Sequence, residues 1–108
     1  MKRKTMWRIA RAYVKWIQRE FMTQEIDLYQ TIEAIRTEQR LPMAYTTIDY
    51  NDIDEGAEVQ VWADIKHLRL IAKISTDEAV IYHKRNYKSL VTFIEDIEAA
   101  DFNDLTYM

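Results

Sequence analysis

The sequence has no cysteine among its 108 residues, and it has only one glycine, Gly56, and one proline, Pro42. The absence of cysteine excludes a disulfide framework, a thiolate metal site and a cysteine nucleophile. A single glycine cannot supply a phosphate-binding loop or a dinucleotide fingerprint, because each of these motifs needs several. Such scarcity of both residues favours long regular elements and few tight turns.

The residues that are present favour one folded domain. Apolar residues make up 48% of the chain and aromatic residues 12%, which is typical of a globular protein. Arg8, Arg11 and Lys15 interrupt the apolar residues near the N-terminus, so no run there is long enough for a signal peptide or a membrane span. This arginine-rich start resembles an organellar presequence, but its apolar periodicity continues into the following residues. We therefore expect it to belong to the mature fold of a cytoplasmic protein.

The net charge of −3 conceals a strong asymmetry along the chain. Residues 1–20 contain seven Lys or Arg and one acid, whereas residues 21–108 contain eight Lys or Arg and seventeen acids. A basic segment on an acidic body can contact nucleic acid or an acidic partner, or it can pack against its own body. An anionic membrane would repel the acidic body, so we expect no membrane partner.

The stretch Lys4–Leu41 contains no glycine or proline, and Pro42 is the first residue that would stop a helix. Apolar residues recur along it at intervals of seven, at Trp7, Val14, Phe21, Leu28 and Ile35. The pattern predicts a long N-terminal helix, either straight or kinked near residues 21–24; two helices hinged at that point are the alternative. Continuity of the helical phase favours one helix.

The two halves of this helix differ in the width of their apolar stripe. Residues 6–21 cover about half of the helix circumference, which predicts packing against the core. The narrower half carries a seam suited to a partner or to a homodimer, formed by Leu28, Ile32 and Ile35. On the side opposite the apolar stripe, helical spacing places a basic stripe formed by Lys4, Arg8, Arg11, Lys15 and Arg19.

After Pro42 the composition predicts strands followed by a helix. Alternating apolar residues predict strands over 44–50, 58–64, 68–75 and 79–87, with an acidic loop over 51–58. A hairpin turn at residues 76–78 would pair Ile74 with Ile81 and Ala72 with His83. Ser89 is suited to cap a helix from Leu90 to about Ala100.

These elements predict a single α+β domain over residues 1–108. A helical arm (1–41) precedes an antiparallel meander of three to four strands and a C-terminal helix (43–108). The last helix and the tail carry an acidic face, formed by Glu95, Asp96, Glu98, Asp101 and Asp104. If the C-terminal end of this helix lies beside the start of the first helix, the acidic face and the basic stripe neutralise one another.

The sequence offers no set of residues suited to catalysis or to metal binding. In the acidic loop, counting from Asp52 places Gly56 at position 5 and Ala63 at position 12, which does not match an EF-hand. The two histidines, His67 and His83, lack a metal-ligand spacing. Without a pocket that raises a pKa, carboxylates on a solvated helix face are surface charges. We therefore expect no catalytic residue, no metal and no cofactor.

Two hypotheses about function remain. The first is a small, non-enzymatic protein-binding module, of the kind that phages and mobile elements use to inhibit nucleic-acid-handling enzymes by occupying their surfaces. An acidic face can occupy a groove that is built for phosphates. The alternative is a nucleic-acid-binding accessory protein that uses the basic stripe, because each neutralised phosphate releases counterions.

Overall fold

A computed structural model describes residues 1–21, 26–49 and 56–99 of the chain. Within these ranges, four strands form one antiparallel sheet in the order β1-β2-β3-β4, and three helices accompany it. This arrangement confirms the predicted α+β fold with a four-stranded meander. The elements are α1 (Arg3–Glu20), α2 (Leu28–Glu38), β1 (Arg40–Asp49), β2 (Gly56–Asp64), β3 (Arg69–Ser75), β4 (Val80–Asn86) and α3 (Leu90–Glu98).

The core lies between the helices and one face of the sheet. Val59 and Val61 of β2 pair with Ile74 and Ala72 of β3, and all four side chains are buried. Alternate residues of a strand point to the same face, so these side chains form a continuous apolar surface. The inner faces of the helices complete the core with Ile9, Ala10, Tyr13, Trp16, Ile17, Ile35, Phe93, Ile94 and Ile97.

The favoured prediction of one helix from Lys4 to Leu41 is wrong, and the alternative of two helices is confirmed. Helix α1 ends at Glu20 and α2 begins at Leu28; residues 22–25, which overlap the predicted kink near 21–24, lie outside the described residues. The Asp27 side chain caps α2 by accepting a hydrogen bond of 2.7 Å from the backbone N–H of Gln30. This bond satisfies a helix donor that has no partner within the helix.

Helix α2 ends before Pro42, so proline does not stop it. Gln39 takes up a left-handed conformation (φ 52°), which ends the helix, and its carbonyl oxygen accepts a hydrogen bond of 2.8 Å from the N–H of Ile65. Strand β1 then starts at Arg40 and includes Pro42. Because β1 is an edge strand, the missing N–H of Pro42 costs little, and the register with β2 shifts between Leu41 and Ala44.

The second half of the chain follows the sequence pattern closely. Ile74 pairs with Ile81 and Ala72 pairs with His83, which confirms the predicted hairpin register. A turn over residues 65–68 separates β2 from β3, and it explains why the core-facing residues are odd-numbered in β2 and even-numbered in β3. Ser89 caps α3 by accepting a hydrogen bond of 3.2 Å from the N–H of Thr92. Strand β2 begins at Gly56 rather than at residue 58.

Aromatic side chains attach α1 to the sheet and to its own C-terminal end. The Tyr13 hydroxyl donates a hydrogen bond to the carbonyl oxygen of Pro42 and lies 3.3 Å from that of Val61. Burial raises the pKa of this hydroxyl well above its ordinary value. The Trp16 ring meets the Phe21 ring edge-on at 5.5 Å, and the buried Trp16 Nε1 has no hydrogen-bond partner among the described residues. Ring packing therefore holds the Trp16 indole in place.

Phe93 offers a test of this core. Its side chain is fully buried and meets the Tyr87 ring edge-on at 5.4 Å. We expect Phe93→Ala to lower the free energy of unfolding by about 3–5 kcal/mol, because it leaves a large cavity. Val91 lies two residues away on the exposed side of the same helix. Val91→Ala should therefore change the free energy of unfolding by less than about 0.5 kcal/mol. Equal losses in urea unfolding would contradict the assigned packing of α3.

Candidate binding surfaces

The basic stripe lies on the solvent side of α1, as predicted. The first helix is amphipathic, so its buried residues and its cations occupy opposite sides. Each of the five predicted cations is exposed: Lys4, Arg8, Arg11, Lys15 and Arg19. The stripe is therefore a real surface of the folded protein.

Four of these cations line one groove beside α3. Arg8, Arg11, Lys15 and Arg19 surround a groove of about 310 Å³, whose wall also includes Trp16, together with Ala12 and Glu98. Lys4, the fifth predicted cation, lies outside it. We name this feature the basic groove, defined by Arg8, Arg11, Lys15 and Arg19.

Acidic side chains of the same chain neutralise part of the basic groove. Arg8 pairs with Glu98 at 2.5 Å, which joins α1 to the C-terminal end of α3, and Arg19 pairs with the neighbouring Glu20 at 2.9 Å. Within the described part of the chain, Arg11 and Lys15 have no ion-pair partner. The predicted neutralisation between the first and last helices is thus present, and it is partial.

The predicted acidic face is not a continuous solvated surface. Asp96 is half-buried, accepts a hydrogen bond of 2.8 Å from Arg85 Nη1 and accepts another from the Tyr87 hydroxyl. Burial and the neighbouring Asp96 carboxylate raise the pKa of Tyr87 well above its ordinary value. Glu98 is paired with Arg8, and Glu95 is exposed. Asp101 and Asp104 lie outside the described residues.

The predicted partner seam belongs to the core of the same chain. Ile35 is buried, and Leu28 and Ile32 are partly buried against the core cluster. The prediction that these residues form a free contact surface is corrected, because α2 packs on α1 and β1. The narrow apolar stripe reflects a helix at the margin of the core. Leu28 and Ile32 keep part of their side chains at the surface, so the seam that could contact a homodimer partner is smaller than the sequence predicts.

The sequence reasoning missed a surface on the opposite side of the sheet. The helices cover only the face that carries Val59 and Val61, and the side chains of opposite parity point away from them. On this outer side, Tyr45 pairs with Gln60, Gln60 with Lys73, and Lys73 with Tyr82, so one row crosses all four strands. A second row follows from Trp62 through Ile71 to Lys84. We name this surface the open face, defined by Tyr45, Trp62, Lys73, Tyr82 and Lys84; Ile71, which lies between Trp62 and Lys84 in the second row, is buried.

Aromatic rings and lysines occupy the open face together. Tyr45 is 45% exposed and Tyr82 is 52% exposed, and the Lys73 and Lys84 amines each lie 5.9 Å from the centre of the Tyr82 ring. A hydrogen bond to Glu58 raises the pKa of Tyr45. The alternation of residues in the predicted strands contained this signal, since it assigns one tyrosine to each edge strand on the same side of the sheet.

The described residues contain no candidate metal site and no candidate membrane-spanning helix. No group of three or more histidine, cysteine, aspartate or glutamate side chains there is placed to hold a metal ion. No helix in the described ranges is long and apolar enough to cross a membrane. His67 Nδ1 lies 2.6 Å from an Asp64 carboxylate oxygen. The hairpin register places His83 opposite Ala72 rather than opposite His67, so the two histidines are not paired across the strands.

Comparisons of the chain with protein-family models, with curated proteins and with solved structures find no match. The surfaces described above are therefore the basis on which a function can be argued.

The Arg8–Glu98 pair yields a prediction about stability. Its side chains are 53% and 41% exposed, so water screens their attraction. We expect Glu98→Gln to lower the free energy of unfolding by less than about 1 kcal/mol at low salt, and by less still at high salt. Urea unfolding at two salt concentrations measures the effect, and Glu95→Gln, an exposed carboxylate on the same helix, is the control. A loss of more than about 1 kcal/mol that is the same at both salt concentrations would contradict a solvent-screened surface ion pair.

Proposed function

We propose that this protein is a small non-enzymatic binding module that docks on a larger protein through the open face of its sheet. One observation carries the proposal: no helix among the described residues covers this face, although it presents two half-exposed tyrosines and the side chain of Trp62. Tyrosine and tryptophan are enriched at the centres of protein interfaces, because they bury a large area and lose little conformational entropy. Exposed apolar patches on small domains mark such sites.

The partner class follows from composition rather than from geometry. The sequence favours a phage-type or mobile-element-type inhibitor of a nucleic-acid-handling enzyme, and that assignment stays a prediction. The internal bonds of Asp96 and Glu98 reduce the acidic charge that α3 offers to such an enzyme. The open face, whose own cations are Lys73 and Lys84, is therefore the better-supported contact surface.

Affinity purification with mass spectrometry tests the open face. The full-length chain is used as bait in nuclease-treated lysate, with Tyr82→Glu as the variant. We expect partner recovery to fall more than about tenfold, because a charge at the centre of an apolar interface costs at least about 1.4 kcal/mol.

Tyr29→Glu is the matched control for this experiment. Tyr29 is 76% exposed on α2, away from the sheet, so its replacement should leave recovery unchanged. Equal loss with both variants would indicate a general effect of added negative charge. Recovery of nucleic acid without any protein would count against the proposal.

The basic groove supports a second candidate function, contact with nucleic acid. Four cations line one groove, and Arg11 and Lys15 have no ion-pair partner among the described residues. Cations spaced along one helix face suit a phosphate backbone, because each contact releases counterions. The groove contains no base-reading motif, so binding there would depend on charge rather than on sequence.

Salt dependence tests this candidate. If Lys15 contacts a duplex phosphate, Lys15→Ala should reduce the slope of log affinity against log salt by about 0.9, the contribution of one phosphate contact. Fluorescence anisotropy with a labelled DNA duplex measures the slope. Lys66→Ala is the control, since Lys66 is an exposed lysine in the turn after β2. Absence of binding to DNA and RNA at low salt would remove the candidate.

A further inference from the structure

Strand β4 is an edge of the sheet that lacks the protection found on the other edge. Its pairing with β3 runs without a shift from Arg69–Asn86 to Ser75–Val80. By contrast, β1 contains Pro42 and a shift in register, and both features hinder the addition of another strand. The outer side of β4 thus presents a regular row of backbone groups that have no partner in the described part of the sheet.

Both faces of β4 are uncovered at its start. Val80 and Tyr82 lie on the side of the open face, and they are 53% and 52% exposed. Ile81 lies on the helix side, opposite the buried Ile74, yet it is 48% exposed. The helical layer therefore does not extend over this end of β4. Three successive apolar side chains are exposed here, and the side chains of an adjacent strand would contact them on both faces of the sheet.

The charge of β4 indicates what kind of strand fits. Strand β4 contains no acidic residue, and Lys84 projects on the open face beside Lys73. A second copy of β4 would offer no carboxylate to these amines, and cross-strand pairs of like charge are destabilising. An acidic strand from another protein would pair with them.

The size of the open face agrees with an interface that continues onto this edge. Three strand spacings of about 4.8 Å and seven residues of about 3.4 Å give a face of roughly 340 Å² in projection. Stable complexes bury about 800 Å² on each partner. A partner that docked on the open face alone would fall short of that area, and the exposed edge is contiguous with it.

From these observations we infer that the partner inserts an extended acidic segment along β4 as a fifth strand of the sheet. The inference rests on the proposed protein-binding function and specifies its mode. Backbone hydrogen bonds to β4 would position the segment; its apolar residues would contact Ile81 on the helix side, and its acidic residues would contact Lys84 on the side of the open face.

Designed peptides test this inference without a known partner. The probe is a seven-residue peptide, as long as β4, in which valine alternates with glutamate; the control replaces each glutamate with lysine. Nuclear magnetic resonance of the labelled full chain should show shifts along β4 with the acidic peptide only. At about 90% occupancy, outward-facing β4 amides should exchange with solvent about tenfold more slowly, since exchange then proceeds from the unbound fraction.

Variants of exposed side chains separate strand addition from other contacts. Lys84→Glu should reverse the preference, so that the lysine peptide binds and the glutamate peptide does not. Ile81→Lys should weaken binding of the glutamate peptide at least about tenfold, because it places an unpaired charge among the apolar contacts. Val91→Lys adds the same charge on the exposed side of α3 and should have no effect.

Three outcomes would overturn the inference. Binding of neither peptide at millimolar concentration would exclude β4 as an acceptor edge. Shifts confined to Tyr45 and Trp62 would overturn strand addition and leave the open face as the docking site. Concentration-dependent shifts of β4 without peptide would identify a second copy of the chain as the occupant instead of an acidic partner.

Discussion

Packing of all three helices on one face of a four-stranded sheet is the constraint on which the other surfaces depend. Tyr13 anchors this layer, because its hydroxyl bonds to the Pro42 carbonyl where the register between β1 and β2 shifts. Phe93 completes the layer from the other end of the chain. Because the described helices all pack on one side of the sheet, they leave the opposite side uncovered. The open face is thus a consequence of how the core is closed.

The strands and their register were predictable because the alternation of apolar and polar residues shows which face of the sheet each residue occupies. Val59 and Val61 share one parity, Ala72 and Ile74 share the other, and a slip of one residue would expose all of them. The same alternation places Tyr45 and Tyr82 on the outer side of the sheet, although the sequence analysis did not draw that conclusion. Sequence reasoning could place them there, but it could not show that no helix covers them, since that depends on which face the helices choose.

The break between α1 and α2 was not predictable from periodicity. Phe21 and Ile35 are both buried in one core although they flank the break, so the seven-residue spacing continues across it. The local signals were present in single residues: Asp27 can cap a helix, whereas the left-handed Gln39 has no strong sequence signature. The seam was misread for the same reason, because a stripe that packs at the margin of a core resembles one that awaits a partner.

Charge explains why overall composition describes the candidate sites poorly. The chain is acidic in total, yet in the described residues Glu98 and Glu20 neutralise only part of the basic groove, and the open face carries Lys73 and Lys84. On α3, Asp96 accepts hydrogen bonds from Arg85 and from the Tyr87 hydroxyl, so this residue of the predicted acidic face contributes to the fold. The distribution of charge after folding therefore favours an acidic partner segment over the mimicry of phosphate that net charge alone suggested. That reversal follows from pairing distances, which no count of acids and bases contains.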